Sequence, residues 1–239
     1  MQPLGRRVPK DFDHVEKYPL SAATTPAMPV PVCLGVNWYT NFDDPVKDSW
    51  GRWWIGRYVQ NLRSVRGGHC VCVEPGDPST PGASEQDINS WYGFYDQGAE
   101  GACVGFGASR MMSLLNRKRY DARWLWNQAK MIDEWSDTNP GDNNGTSVRA
   151  AMDVLRRQGH VPWGKQSPVA AEVISANRWA RTVPEVLDAL KSPASERMGA
   201  VRILNSWNGA YPHRVWVPFE TLQRLLDEDG EATIITDLP

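Results

Sequence analysis

Residues 96–112 read DQGAEGACVGFGASRMM, and the reading of this stretch decides how the rest of the chain is understood. Gln97 stands six residues before Cys103, with Gly98 and Gly101 between them, and from Cys103 onward small and apolar residues run on as a helix would. A thiol at the start of a helix lies among N–H groups that have no intrahelical acceptor, and their partial positive charge favours thiolate over thiol. The stretch therefore predicts a helix from Cys103 towards Asn116 with a nucleophile at its N-terminus. Taken alone, a cysteine on an apolar helix is more often a small core residue.

Two further stretches bear on Cys103. Downstream, residues 203–209 read ILNSWNG and contain Asn205, Ser206 and Trp207; upstream, residues 66–75 read RGGHCVCVEP. In the latter, His69, Val71 and Val73 alternate with Cys70, Cys72 and Glu74, which is the period of a strand, and Gly67-Gly68 lets the backbone enter it closely. Before it, residues 30–42 (VPVCLGVNWYTNF) are β-branched and aromatic and predict a buried strand.

The Gln97–Cys103 spacing together with Asn205-Ser206-Trp207 resembles the papain-like cysteine peptidases. In that family the Gln donates to the oxyanion, the Asn orients the catalytic His, and the Trp shields their hydrogen bond. His69 lies on a segment that resembles the family's Gly-His-Ala-Val strand, and residues 30–42 resemble the strand that precedes it, but both stand ahead of Cys103 in the chain. The resemblance implies a circularly permuted α+β papain-like fold of two lobes. The helical lobe would cover about 103–160, and the antiparallel β-rich lobe about 30–75 and 200–239, with an arm over 1–29. It implies hydrolysis of peptide bonds by Cys103, His69 and Asn205, with Gln97 in the oxyanion hole, no cofactor and no metal. Asn144, Gly145, Thr146 and Trp207 would line the substrate cleft. The family's pattern is not matched everywhere: Val104 replaces an aromatic after the Cys, Glu100 brings a carboxylate near the thiol, and Asn208 replaces a Gly.

The other histidines have plainer readings. His213 lies eight residues after Asn205 and is the rival base, His160 follows Gly159 as a helix C-terminal cap, and His14 is in the arm. His69 itself could be a structural strand histidine; a metal cluster with Cys70 and Cys72 is opposed by the alternation, which turns neighbours to opposite faces. Trp207 has the alternative of a core aromatic.

Composition sets the limits. The chain has 239 residues, 41% hydrophobic and 23% charged, enough for one sizeable domain or two lobes, and a net charge of -2 argues against a nucleic-acid partner. No apolar run suits a signal peptide or a membrane span. The four cysteines, 33, 70, 72 and 103, predict reduced thiols, since Cys70 and Cys72 share one strand face. The expected location is cytoplasmic or virion-associated. Papain-like folds also occur in tailed phages as virion components or wall-directed hydrolases, which gives two alternatives: a cell-wall peptide hydrolase, or an inactive domain of an assembly. The partners would then be a peptide or protein substrate, or assembly components contacting the arm and a Trp-rich loop.

That loop, 43–66, carries Trp50, Trp53, Trp54 and Tyr58, and either walls a cleft or packs a small cluster of its own. Further along, a second helix follows from Asp121. Thr146 is expected to cap a helix with Val148, Met152 and Leu155 as its apolar stripe, ending at Gly159. Thr182 and Glu185 have the spacing of a capping box for a helix to Leu190, while residues 191–204 predict no strand bearing a His. Phe219–Asp229 should be helical and Ala232–Asp237 a last strand.

Overall fold

The computed structural model describes residues 28–75, 95–135, 142–169, 172–207, 209 and 211–237. Residues 1–27 of the arm (with His14), the 76–90 part of the expected loop, the first half of the 138–145 turn and Asn208 lie outside the described residues.

Strand β1 (Val32–Tyr39) opens the fold, followed by a 3-10 turn (Thr40–Phe42), two short strands β2 (Val46–Lys47) and β3 (Trp53–Trp54), a second 3-10 turn (Val59–Asn61) and strand β4 (Val65–Val73). Helices α1 (Cys103–Asn116), α2 (Ala122–Lys130) and α3 (Val148–Arg157) follow. Then come β5 (Ala176–Ala180), α4 (Val183–Leu190), α5 (Pro193–Met198), β6 (Ala200–Leu204), β7 (Arg214–Pro218), α6 (Phe219–Asp227) and β8 (Glu231–Asp237). The strands form one eight-stranded sheet in the order β2-β3-β7-β6-β4-β1-β8-β5, antiparallel except where β3 pairs with β7. The α+β class expected from the sequence is what the protein adopts.

Alternation along the central strands divides the core between the two faces of the sheet. On β1, Val32, Leu34, Val36 and Trp38 join Val71 and Val73 of β4 in a cluster with Val186 and Leu190 of α4 and Leu222 and Leu226 of α6. On the other face, Cys33, Cys70 and Cys72 pack with α1, α2 and α3. A β-carbon added at Gly107 of α1 would lie 2.8 Å from Cys70 Sγ, so the glycine lets α1 settle directly on β4. All four cysteines are free and buried; Cys33 faces Cys72 in the register and meets Cys70 diagonally, with those two sulfurs 3.4 Å apart.

Local chemistry explains the helix starts. Asp121 caps α2 by accepting from the Trp124 N–H, and Thr182 with Glu185 completes a reciprocal capping box on α4. For α3 the expectation is off by one residue: Ser147 is the cap and accepts from Ala150 N–H, while the Thr146 hydroxyl donates to Asp133. Both residues can cap, and only the backbone path decides which hydroxyl meets the open N–H. The stripe Val148, Met152 and Leu155 is fully buried. Residues 191–204, read as lacking a His-bearing strand, supply α5 and β6.

Residues 43–66 form the structured end of the sheet. Asp48 accepts from the side chains of Arg52 and Trp54, and the Arg52 guanidinium lies over Trp50 and Trp54. The segment packs its own cluster, with Trp50 left exposed.

Candidate functional site

The site is built where β4 and β6 separate. The two strands pair only at Cys72↔Leu204 and Val73↔Ile203. Beyond that point β6 runs into Asn205-Ser206-Trp207, and the earlier half of β4, carrying His69, is left without a β6 partner. His69 Nε2 lies 2.9 Å from Asn205 Oδ1. The same oxygen accepts from Ser206 N–H at 2.7 Å, which fixes the amide orientation. Nε2 must therefore carry the proton, leaving the Nδ1 lone pair as the basic atom of the ring. Trp207 stacks on the imidazole at 4.5 Å between centroids, and Trp38 meets it edge-on at 4.6 Å.

The loop before α1 is tied to the same place. Asp96 bridges to Trp207, and Gln97 N–H donates to Ser206 O at 2.9 Å. The loop turns on Gly98, at φ +59. The Gln97 side chain is buried and donates from Nε2 to Glu100 O at 2.9 Å, and among the described residues Oε1 has no hydrogen-bond partner. One Nε2 hydrogen remains for another acceptor.

Cys103 opens α1, as expected, with 9% of its surface exposed. Burial pushes its thiol up to about 11; the N–H groups of Cys70 and Val104, which face the sulfur, oppose the rise. The carboxylate of Glu100 pairs with Arg123 Nε at 2.6 Å instead of bearing on the thiol. Burial likewise drives His69 down to about 4, against the Asn205 hydrogen bond, with Arg66 lowering and Asp43 raising it. At neutral pH both groups are uncharged. The imidazole packs with the aromatic residues of one face of β4 and the thiol with the cysteines of the other. Among the described residues no hydrogen bond joins the two.

The segment expected to line the cleft abuts this loop: Gly101 N–H donates to Asn143 Oδ1, and a β-carbon on Gly101 would meet Asn144 and Gly145 backbone at 3.0 and 3.1 Å. Asn144 O accepts from Trp126 Nε1, and Thr146 is buried with its hydroxyl on Asp133. Thr146 thus turns inward.

The rival histidines are elsewhere. His213 is half-buried, and desolvation holds it near 3, with Arg110 and Arg214 adding to the effect; its carbonyl accepts from Asn205 N–H. His160 is not a helix cap. Its ring bonds Ser109 Oγ at 2.8 Å, accepts from Val161 N–H and stacks on Tyr120, while Gln158 ends α3. Among the described residues no three His, Cys, Asp or Glu side chains gather as metal ligands, and no helix is long and apolar enough to cross a membrane.

Sequence reasoning missed Trp38, Asp43 and Arg66 around His69. Trp38 was read only as part of a strand, and nothing in its spacing from His69 marks the contact, which the antiparallel pairing of β1 with β4 creates.

No family model and no curated protein matches the chain. Among solved structures it is similar to that of xylellain, a cysteine protease from Xylella fastidiosa, at 13% identity over 70% of this chain and 86% of that one, with a TM-score of 0.48, a likeness too slight to weigh in the argument.

Proposed function

We propose that the chain is a cysteine peptidase of papain-like, circularly permuted type, with Cys103 as nucleophile, His69 as base, Asn205 as the residue orienting the base and Gln97 as an oxyanion donor. The observation that carries this reading is the 2.9 Å contact of His69 Nε2 with Asn205 Oδ1 beneath the Trp207 ring, tied by the Gln97–Ser206 backbone bond to the loop that leads into Cys103. A buried Asn holding one imidazole tautomer under an indole has a chemical use when the other nitrogen moves a proton.

In this reading His69 Nδ1 takes the thiol proton as the sulfur attacks the amide carbon. The oxyanion accepts from the remaining Gln97 Nε2 hydrogen and from Cys103 N–H. Collapse of the intermediate expels the amine, which takes the proton from Nδ1, and water then cleaves the thioester with the imidazole as base again. The neutral resting pair means that this proton moves with the attack on substrate instead of forming a standing ion pair. Asn144 and Gly145 are assigned to the cleft rim with Trp207, and the substrate is a peptide, including the cross-linking peptides of a cell wall.

A second reading, a catalytically silent domain serving an assembly such as a virion, is favoured by the burial of both groups, which disfavours a thiolate and an imidazolium, and by the lack of a hydrogen bond between them among the described residues. Its contact surface would include the exposed Trp50. Peptide hydrolysis assays on wild type, Cys103→Ala, His69→Ala and His213→Ala separate the two. The peptidase reading expects cleavage lost in the first two variants and kept in the third. Absence of cleavage with folded wild-type protein, over both protein and cell-wall peptides, favours the silent domain.

A further inference from the structure

His69 is clamped by more than the Asn205 bond. Its ring meets two indoles that also touch each other at 5.3 Å, Trp207 stacked on it at 29° and Trp38 edge-on at 73°. Trp38 is held in turn: its Nε1 donates to Asp43 Oδ1 at 3.0 Å. The same carboxylate oxygen pairs with Arg66 Nη1 at 2.6 Å, and the Arg66 guanidinium lies 5.9 Å over the Trp207 ring. The contacts therefore close a circuit that passes through the imidazole, running Trp38, Asp43, Arg66, Trp207.

The backbone makes this circuit possible at two points. Asp43 follows the 3-10 turn Thr40–Phe42 that ends β1, which brings the carboxylate back towards its own strand. On β4 the register slips: Trp38 faces Gly67 but Tyr39 faces Val65, so Arg66 is the extra residue of a bulge. Bulges re-aim a side chain, and this one gives Arg66 a direction that regular alternation would not.

From this geometry we infer that Asp43 is a positioning residue for His69: it fixes the Trp38 indole against the ring and neutralises the Arg66 charge beside it. The inference rests on the peptidase reading for its use, but not for its test. The charged groups acting on the ring are Arg66 from β4 and Asp43 from the turn after β1, with opposite effects, and the neutral thiol of Cys103 belongs to the other face. Removing the carboxylate charge takes away its upward pull on the imidazole and makes the ring harder to protonate; removing Arg66 does the reverse.

The experiment is an imidazole NMR titration of the full-length protein, with the His69 signals assigned by their loss in His69→Gln. Asp43 and Arg66 are partly exposed, so Asp43→Asn and Arg66→Gln are mild changes, and far-UV circular dichroism checks the fold. Asp43→Asn is expected to lower the His69 midpoint and Arg66→Gln to raise it, each by about half a unit, the scale of one solvent-screened charge several ångströms away. The double variant should return it near the wild-type value. Midpoints unmoved in both single variants would overturn the assignment. If the shifts occur in a protein that cleaves no peptide, the positioning assignment stands and the peptidase reading falls.

Discussion

His69 and Asn205 are 136 residues apart in the chain, yet Nε2 of one lies 2.9 Å from Oδ1 of the other, because β4 and β6 are neighbours in the sheet and separate just before both side chains. The Ser206 N–H holds the amide so that only its oxygen can face the ring. One face of the imidazole is thereby assigned, and its Nδ1 is left with the lone pair.

The Cys103 thiol should behave as a buried, protonated group. With the Cys103 thiol pushed up to about 11, its alkylation rate is expected to climb about tenfold per pH unit between pH 7 and 10, following the thiolate fraction. Cys33, Cys70 and Cys72, almost wholly buried, should stay unlabelled until denaturant is added. Iodoacetamide labelling with peptide mapping reads both. A rate already level near neutral pH would mean that a thiolate–imidazolium pair exists before substrate arrives, contrary to the neutral resting state.

Stability should fall on the acid side. His69, His160 and His213 are held near 4, 3 and 3, chiefly by burial, below the ordinary value of 6.5. A histidine whose folded value is depressed resists protonation in the folded state, so the unfolded chain binds more protons between about 3 and 6.5 and stability drops as the pH falls through that window. Each histidine accounts for roughly 1.4 kcal/mol at pH 5.5 relative to pH 7.5. Urea unfolding at the two pH values should show the loss, and His160→Gln should reduce its size. Equal stability at both would refute the burial argument.

Gly101 is a packing position beside the nucleophile helix. A β-carbon there would lie 2.5 Å from Asn143 O, a backbone atom with no rotamer through which to yield. Gly101→Ala should cost about 1–3 kcal/mol, in the range of overpacking, and displace the 143–145 segment. Thermal unfolding measures the first effect, and loss of Gly101 amide protection in hydrogen exchange the second.

The caps of α3 can be told apart. Ser147→Ala should remove about 1 kcal/mol by stripping the acceptor from Ala150 N–H. Thr146→Ser, which keeps a hydroxyl for Asp133, should be nearly neutral. Denaturant midpoints for the two variants give the comparison, and a larger loss for Thr146→Ser would contradict the assignment of Ser147 as the cap.

The sequence by itself determined those features whose physics is local. Periodicity and end chemistry were enough for α1 at Cys103–Asn116, for α4 with its capping box and for α6 followed by β8. Alternation in residues 69–73 was enough to put His69, Val71 and Val73 on one face and Cys70 and Cys72 on the other. Glu100 was misread, since its distance from Arg123 depends on how α2 packs. β5 went unread because ANRWA, half exposed, has no apolar alternation and is a strand only by pairing with β8. The surroundings of His69 belong wholly to tertiary structure. Trp38, Asp43 and Arg66 reach the ring through strand register, a turn and a bulge, and the high value of the Cys103 thiol comes from the depth at which α1 is buried. Helix position alone predicts a thiolate, and burial, which the sequence does not measure, outweighs it.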